Sequence, residues 1–324
     1  MAVVKGELTS QDTDGWSTLM NCASSHIYLK QMNRKCESAL ENGAEPVRVL
    51  SSVLGQNYPS DELEYSWKKL MQNHPHDSIC CCSVDEVQDE MATRFNKSKQ
   101  VGDYLVSEGK RYIADKINTK EYEKYKNALP FVVFNTAGRE RTSVVSVEID
   151  VTRKSGWLKK CAYDLDEINV PNYKLIDSDG NSIPFKIEDL GVKFGYDLPK
   201  DKFRQPYMAR RVRVTFEAEN ISAVGYKTYA LVEGDTEKVT DTLVSSENCM
   251  ENDAIRVEIN KNGSLNVTDK ASGRTYKGVA YYEETGDLGN EYMYKMPEGS
   301  KAITTQDTVA KIELAEDEPY RAMY

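Results

Sequence analysis

Residues 73–86 read NHPHDSICCCSVDE, which brings two of the chain's three histidines, two aspartates and three of its seven cysteines into fourteen positions. Four readings are open: a metal site, a redox site, one edge of a larger active site, or a turn. His76 and Asp77 are adjacent and can reach one cavity, but one imidazole and one carboxylate fall short of the four ligands usual for zinc. A functional role for His76 therefore competes with a helix-capping or packed-core role. His74 suits a helix end, where an imidazole meets free carbonyls and the negative dipole end, and His26 reads as a surface or cap residue. Cys80, Cys81 and Cys82 lack CxxC spacing, and three consecutive residues cannot all turn their sulfurs onto one ion. They are expected to pack a helix junction. Asp85, Glu86, Asp89 and Glu90 have an electrostatic explanation at the start of a helix, and EETGDLGNEY at 283–292 reads as a solvated turn.

Helices on either side must hold this stretch. From Ile27, residues Tyr28, Met32, Cys36 and Leu40 recur every fourth position and predict one buried helical face, closed at Gly43. Val47, Leu50 and Leu54 predict a second helix ending at Gly55, with Pro46 in its first turn. Ser60 is expected to cap a third, with Asp61 and Glu62 in its first turn and Leu63, Trp67, Leu70 and Met71 as its buried stripe. Pro75 ends that helix at or before His74. Ser83-Val-Asp-Glu86 matches a capping box. Val84, Val87, Met91 and Phe95, continued through Val101, Leu105, Tyr112, Ile113 and Ile117, then predict a helix of about 34 residues and about 50 Å.

From about residue 126 the composition changes. FVVFN, SVVSVEIDV, RRVRVTFEA and AVGYKTYALVE are β-branched and aromatic, with partial alternation. DSDGNS, NKNGS and KASGR supply turns, and IRVEINKNGSLNVTDKASGRTYKGV spaces three strands as a meander. An all-β region of sandwich character is expected.

A length of 324 residues suggests two domains or one large one. A formal charge of −10 disfavours nucleic acid as a partner. With no apolar run of membrane length and no export signal, no membrane partner is expected and the odd cysteine count reads as reduced thiols in the cytoplasm.

Three stretches, SSHIYLKQMN, then YSWKKLMQNHPHDSICCCSVDEVQDEMATRF, then VEINKNGSLNVTDKASGRTYKG with GDLGNEYMY, closely resemble the middle and early C-terminal parts of glycoside hydrolase family 38 alpha-mannosidases, in the same order. The resemblance implies a multidomain alpha plus beta architecture: a junction segment at 1–25, a helical-bundle middle domain at 26–120, and a mostly antiparallel, incomplete β-sandwich-type domain at 126–324. It implies a zinc-dependent retaining glycosidase acting on terminal alpha-mannosides, in which the motif's histidine, here His76, ligates zinc and its aspartate, here Asp77, contacts sugar hydroxyls. The α/β domain carrying the nucleophile, the acid/base and the remaining zinc ligands has no counterpart here. The chain is thus expected to be a fragment or subunit, inactive alone, with a separate catalytic-domain chain or self-association as its partner. A non-catalytic carbohydrate-binding or structural subunit is the alternative. Three positions depart from the family's motifs: Cys81 stands where glycine is usual, His26 where arginine is, and Gln88 where histidine is common.

Overall fold

The computed structural model describes residues 22, 25–199, 201–235, 241–289 and 295–324. They form two compact units, Met1–Ile117 with Tyr282–Thr305, and Asn118–Tyr281 with Gln306–Tyr324. Of the junction segment at 1–25, only Cys22 and Ser25 are among the described residues. No helix among the described residues is long and apolar enough to cross a membrane.

The first unit begins with α1 (Ile27–Glu37), which passes through a π-helical stretch, Ser38–Ala44, directly into α2 (Glu45–Val53). Gly43 therefore does not close a helix, contrary to the sequence expectation. Pro46 lacks an N–H and its ring crowds the carbonyl four residues back, and the wider π turn just ahead of it lets the rod continue. The inward face is Leu29, Leu40, Ala44 and Val47, while the expected Tyr28 is 47% exposed.

α3 (Ser60–Met71) starts after Pro59, with no side-chain cap; Ser60 is its first residue, and Asp61 and Glu62 occupy the first turn. Leu63 and Leu70 are buried and Met71 faces solvent. After the short α4 (His76–Ile79), α5 (Asp85–Ala114) runs for 30 residues, about 45 Å. The expected capping box does not form: Val84 is the residue preceding α5, with no side-chain cap, and the Ser83 hydroxyl is buried without a partner among the described residues.

Two glycines set how closely α5 meets the α1–α2 rod. A β-carbon on Gly109 would stand 2.5 Å from Val47 Cγ1, and one on Gly43 2.8 Å from Val106 Cγ2. Around this approach Leu29, Leu40, Leu70, Met91, Phe95 and Leu105 form the core. Polar ties fix the register: Ser66 Oγ donates to the Ser98 carbonyl at 2.9 Å, and Cys36 Sγ to the Phe95 carbonyl at 3.2 Å. A small ribbon, Glu283–Glu284 with Ile303–Thr304, belongs to this unit.

The second unit holds two antiparallel sheets face to face. β1 (Leu129–Asn135), β2 (Arg141–Lys154), β3 (Tyr173–Asp177), β4 (Ser182–Ile183), β5 (Phe185–Asp197), β6 (Gln205–Ile221) and β7 (Gly225–Glu233) pair in the orders β1-β7-β3-β4 and β2-β6-β5. Val212, Val214 and Phe216 alternate inward to meet Leu175, Tyr229 and Leu231, and Phe216 and Tyr229 meet edge to face at 4.8 Å. β7 shows five consecutive buried residues instead of alternation. Its second face is covered by Tyr122 and Tyr125, which pack with Ala230 and Val232. The expected all-β region also contains a helix, α6 (Leu158–Asp166), which follows β2 in the chain, packs on β6 and buries Cys161 and Leu165. The predicted meander is present as β10 (Ile255–Ile259), β11 (Leu265–Asp269) and β12 (Thr275–Val279), extended by β8 (Val244–Ser246) and β9 (Cys249–Glu251) into a five-stranded sheet.

The outer face of the β2-β6-β5 sheet is tied by ion pairs that follow its register. Arg213 lies opposite both Glu148 and Glu188 and bonds each at 3.0 Å. Asp150, its side chain 5% exposed, accepts from Arg211 Nε at 2.6 Å and pairs with Arg153 at 3.0 Å. Burial alone would raise the Asp150 carboxyl, but the Arg211 hydrogen bond and the Arg211 and Arg153 charges outweigh it and hold the group below its ordinary 3.8. A depressed carboxyl contributes stability that is full above the unfolded-state value and is lost as pH falls through the lower folded value. Urea unfolding should therefore show Asp150→Asn less stable than the parent by about 1–3 kcal/mol at neutral pH. That gap should close as pH falls below the ordinary carboxylate value and through the lower folded one, and a pH-independent gap would exclude the ionised carboxylate as its source.

Candidate functional site

The NHPHD stretch turns sharply between α3 and α5. The His74 N–H donates to the Met71 carbonyl at 3.0 Å, completing the end of α3, and His74 Nε2 bonds Asn33 Oδ1 at 2.7 Å. His74 thus stands at the end of α3, but its imidazole meets the Asn33 side chain on α1 and not a free α3 carbonyl as the sequence reading had it. Pro75, extended at ψ 138°, redirects the chain, and its carbonyl accepts from Ser78 and Ile79 to start α4. His76 and Asp77 open that turn, each side chain 72% exposed, with His76 Nε2 3.2 Å from Asp77 Oδ1. The structure thus places the two candidate residues side by side at the solvent. With Nε2 donating to the carboxylate, a neutral imidazole keeps the lone pair on Nδ1.

Beneath them the loop is held from inside. Asn73, fully buried, donates from Nδ2 to the Met91 carbonyl at 3.0 Å, while its Oδ1 has no partner among the described residues. Gln88, from the first turns of α5, donates from Nε2 to the Ser83 carbonyl at 2.9 Å and the Cys81 carbonyl at 3.3 Å. Neither role is visible in residue type or spacing, because both partners are main-chain carbonyls on another element.

The three cysteines diverge, as expected of neighbours in sequence. Cys81 is buried in the bundle core, at φ 63°, with Lys30 Nζ 3.2 Å from its sulfur. Cys80 and Cys82 are half-buried, so only one of the three is the packed thiol anticipated, and Cys82 Sγ lies 3.7 Å from Asp77 Oδ1. Cys22 closes against the same loop, its thiol hydrogen-bonded to Cys80. Burial, reinforced by Cys80 and Cys82 beside it, pushes the Cys22 thiol up.

The donor set limits what metal this surface can hold. Among the described residues no group of three or more histidine, cysteine, aspartate or glutamate side chains is arranged to bind a metal ion. His76 can offer one imidazole, and a complete zinc site does not fit the described residues of this chain. His26 does not join it: it is exposed at φ 41°, just before α1. In the second unit a cavity of about 460 Å³ is lined in part by Asp177, Glu217, Lys227, Tyr229 and Tyr320, with no histidine or cysteine in its wall. Part of the 283–292 turn, residues 290–292, lies outside the described residues.

Comparison with known proteins follows the same division of the chain. Residues 17–113 match the alpha mannosidase middle domain, and residues 126–233 match the glycosyl hydrolases family 38 C-terminal domain 1. A protein of Halalkalibacterium halodurans named "Putative mannosylglycerate hydrolase" is 40% identical over 97% of this chain and 35% of its own length. The crystal structure of an alpha-mannosidase from Enterococcus faecalis V583 superposes with a TM-score of 0.91 at 42% identity, covering 98% of this chain and 36% of that one. A glycosyl hydrolase family 38 protein from Enterococcus faecalis gives 0.87 at 39% identity, covering 94% and 36%. The chain spans about a third of the length of these relatives. It belongs to the glycoside hydrolase family 38 alpha-mannosidases and represents their middle and early C-terminal region.

Proposed function

We propose that this chain supplies one edge of a zinc-dependent retaining mannoside hydrolase whose other catalytic groups lie outside the described residues. The observation that carries the reading is the side-by-side, solvent-facing placement of His76 and Asp77 on α4, in a chain of this family. His76 would present an imidazole to zinc, and zinc, when bound, would orient sugar hydroxyls and polarise them. Asp77 has two oxygens able to accept from vicinal hydroxyls of a mannosyl unit, a group common to the names of two relatives. The nucleophile and acid/base, which a retaining mechanism sets about 5–5.5 Å apart, would come from outside the described residues. The buried amide of Gln88 keeps this edge in place without touching substrate.

The cysteine at the motif's glycine position is compatible with this reading. At φ 63° Cys81 adopts the left-handed conformation that glycine takes freely. The loop keeps its course at the expense of about 1–2 kcal/mol of strain in Cys81, offset by burial of the sulfur against the core. Cys81→Gly should relieve the strain and lose the sulfur, whereas Cys81→Ala loses the sulfur and keeps the strain. Thermal or urea unfolding should rank the glycine variant above the alanine variant by about 1 kcal/mol. The reverse order would show that residue 81 is not left-handed in solution.

The functional test is reconstitution. Purified alone, the chain should release no chromophore from 4-nitrophenyl alpha-mannoside. Co-purified with the α/β domain of a family 38 relative it should gain hydrolysis, reduced about 100-fold or more by His76→Ala and lowered by Asp77→Asn, with unfolding unchanged in both. Hydrolysis by the chain alone, or full activity of the His76→Ala complex, would refute the division of labour. Mannoside binding by the isolated chain without any gain of hydrolysis would favour the carbohydrate-binding subunit instead.

A further inference from the structure

The hydrolase reading leaves four of the seven cysteines gathered at one place with no role. The Cys22 carbonyl accepts from the Ser25 N–H at 3.1 Å, closing a turn ahead of α1. Lys30 clamps that turn to the cysteine run, its ammonium 2.5 Å from the Ser25 carbonyl and 3.2 Å from Cys81 Sγ. Sequence positions nearly sixty residues apart are thereby brought thiol to thiol, with Cys22 bonded to Cys80. All seven cysteines are unbridged.

The environments of the four sulfurs differ in a way that selects one pair. Cys81 is 4% exposed and turned toward Lys30 and the Ile79 carbonyl. Cys82 is turned toward Asp77, its sulfur 3.6 Å from the Asp77 carbonyl and 3.7 Å from Oδ1. Cys80 is half-buried, while Cys22 is 1% exposed and hydrogen-bonded to it. One reachable thiol backed by one shielded thiol is the arrangement in which an oxidised sulfur is captured before it is oxidised further.

We propose that Cys80 and Cys22 form a peroxide-responsive dithiol that closes to a disulfide, tying the turn ahead of α1 to the loop that carries His76 and Asp77. In the first step the Cys80 thiolate attacks one oxygen of hydrogen peroxide. An S–O bond forms, the O–O bond breaks, and the departing hydroxide takes up the thiol's proton as water, leaving a sulfenic acid. In the second step the Cys22 sulfur attacks Cys80, an S–S bond forms, the S–O bond breaks, and hydroxide leaves with the Cys22 proton as a second water. Two thiols lose two electrons, and the peroxide gains them. The closed form fixes Cys80, three residues beyond Asp77, to a segment outside the α3–α5 connection. The device operates whether or not His76 meets a metal.

The experiment treats the reduced full-length chain with hydrogen peroxide, counts thiols under denaturing conditions, and maps the peptides by mass spectrometry. Two thiols should disappear, a linked peptide pair should join Cys22 to Cys80, and dithiothreitol should restore both. In Cys22→Ser the capture step is removed, so Cys80 sulfenic acid should accumulate and react with dimedone; Cys161→Ser should behave as the parent. The peptide map of the unaltered chain stands as a test even where a variant fails to fold. A link joining any other pair, oxidation of Cys80 to sulfinic or sulfonic acid without a link, or one tightly held zinc per chain that blocks oxidation would each overturn the proposal.

Discussion

The amide of Gln88, buried in the first turns of α5, donates to the carbonyls of Cys81 and Ser83. Those two carbonyls belong to a stretch that forms no helix and pairs with no strand, and a buried carbonyl without a donor costs about 1–3 kcal/mol. One amide satisfies both, and so the chain can leave α4 through a left-handed residue and start α5 four residues later. The position of His76 and Asp77 depends on that exit. Asn73 plays the matching part at the other end, donating to Met91 on α5. The pair is thus carried on a one-turn helix whose two flanks are both bonded to the same long rod.

The rod in turn owes its position to the absence of side chains. Gly109 and Gly43 let α5 approach the α1–α2 rod to a distance that a single β-carbon would prevent, and the leucines and Phe95 fill the space on either side. This is dense, shape-dependent packing, and it places Cys36 on α1 where it finds the Phe95 carbonyl on α5, while Ser66 on α3 reaches Ser98 on the other side of the same rod.

What could be read from the sequence divides along the same physical line. RRVRVTFEA spelled out β6 because its register and its burial both have a period of two, with Val212, Val214 and Phe216 inward and Arg211 and Arg213 paired to acids outside. DSDGNS was legible as a turn because Asp177 bonds the main chain two and four residues on, all within the stretch. Features resting on distant partners were not legible. Ser60 and Ser83 have the composition of caps, yet the chain enters both helices without using them. Continuous burial of β7 needed Tyr122, more than a hundred residues earlier, on its second face. α6 was passed over inside a β-rich region although Leu158, Cys161 and Leu165 are spaced for a helix. At the candidate site the adjacency of His76 and Asp77 was plain. The Lys30–Cys81 contact and the meeting of Cys22 with Cys80 are tertiary, and no local pattern announces them.

His76 and Asp77, in the proposed role, contribute to a site that needs further donors. Zinc titration of the purified chain by isothermal calorimetry, alongside His76→Ala, tests it most directly. The expected result is weak binding, well short of one tightly held ion per chain and lost in the variant, because the described residues offer no three-donor set. Tight stoichiometric binding that survives loss of His76 would contradict it.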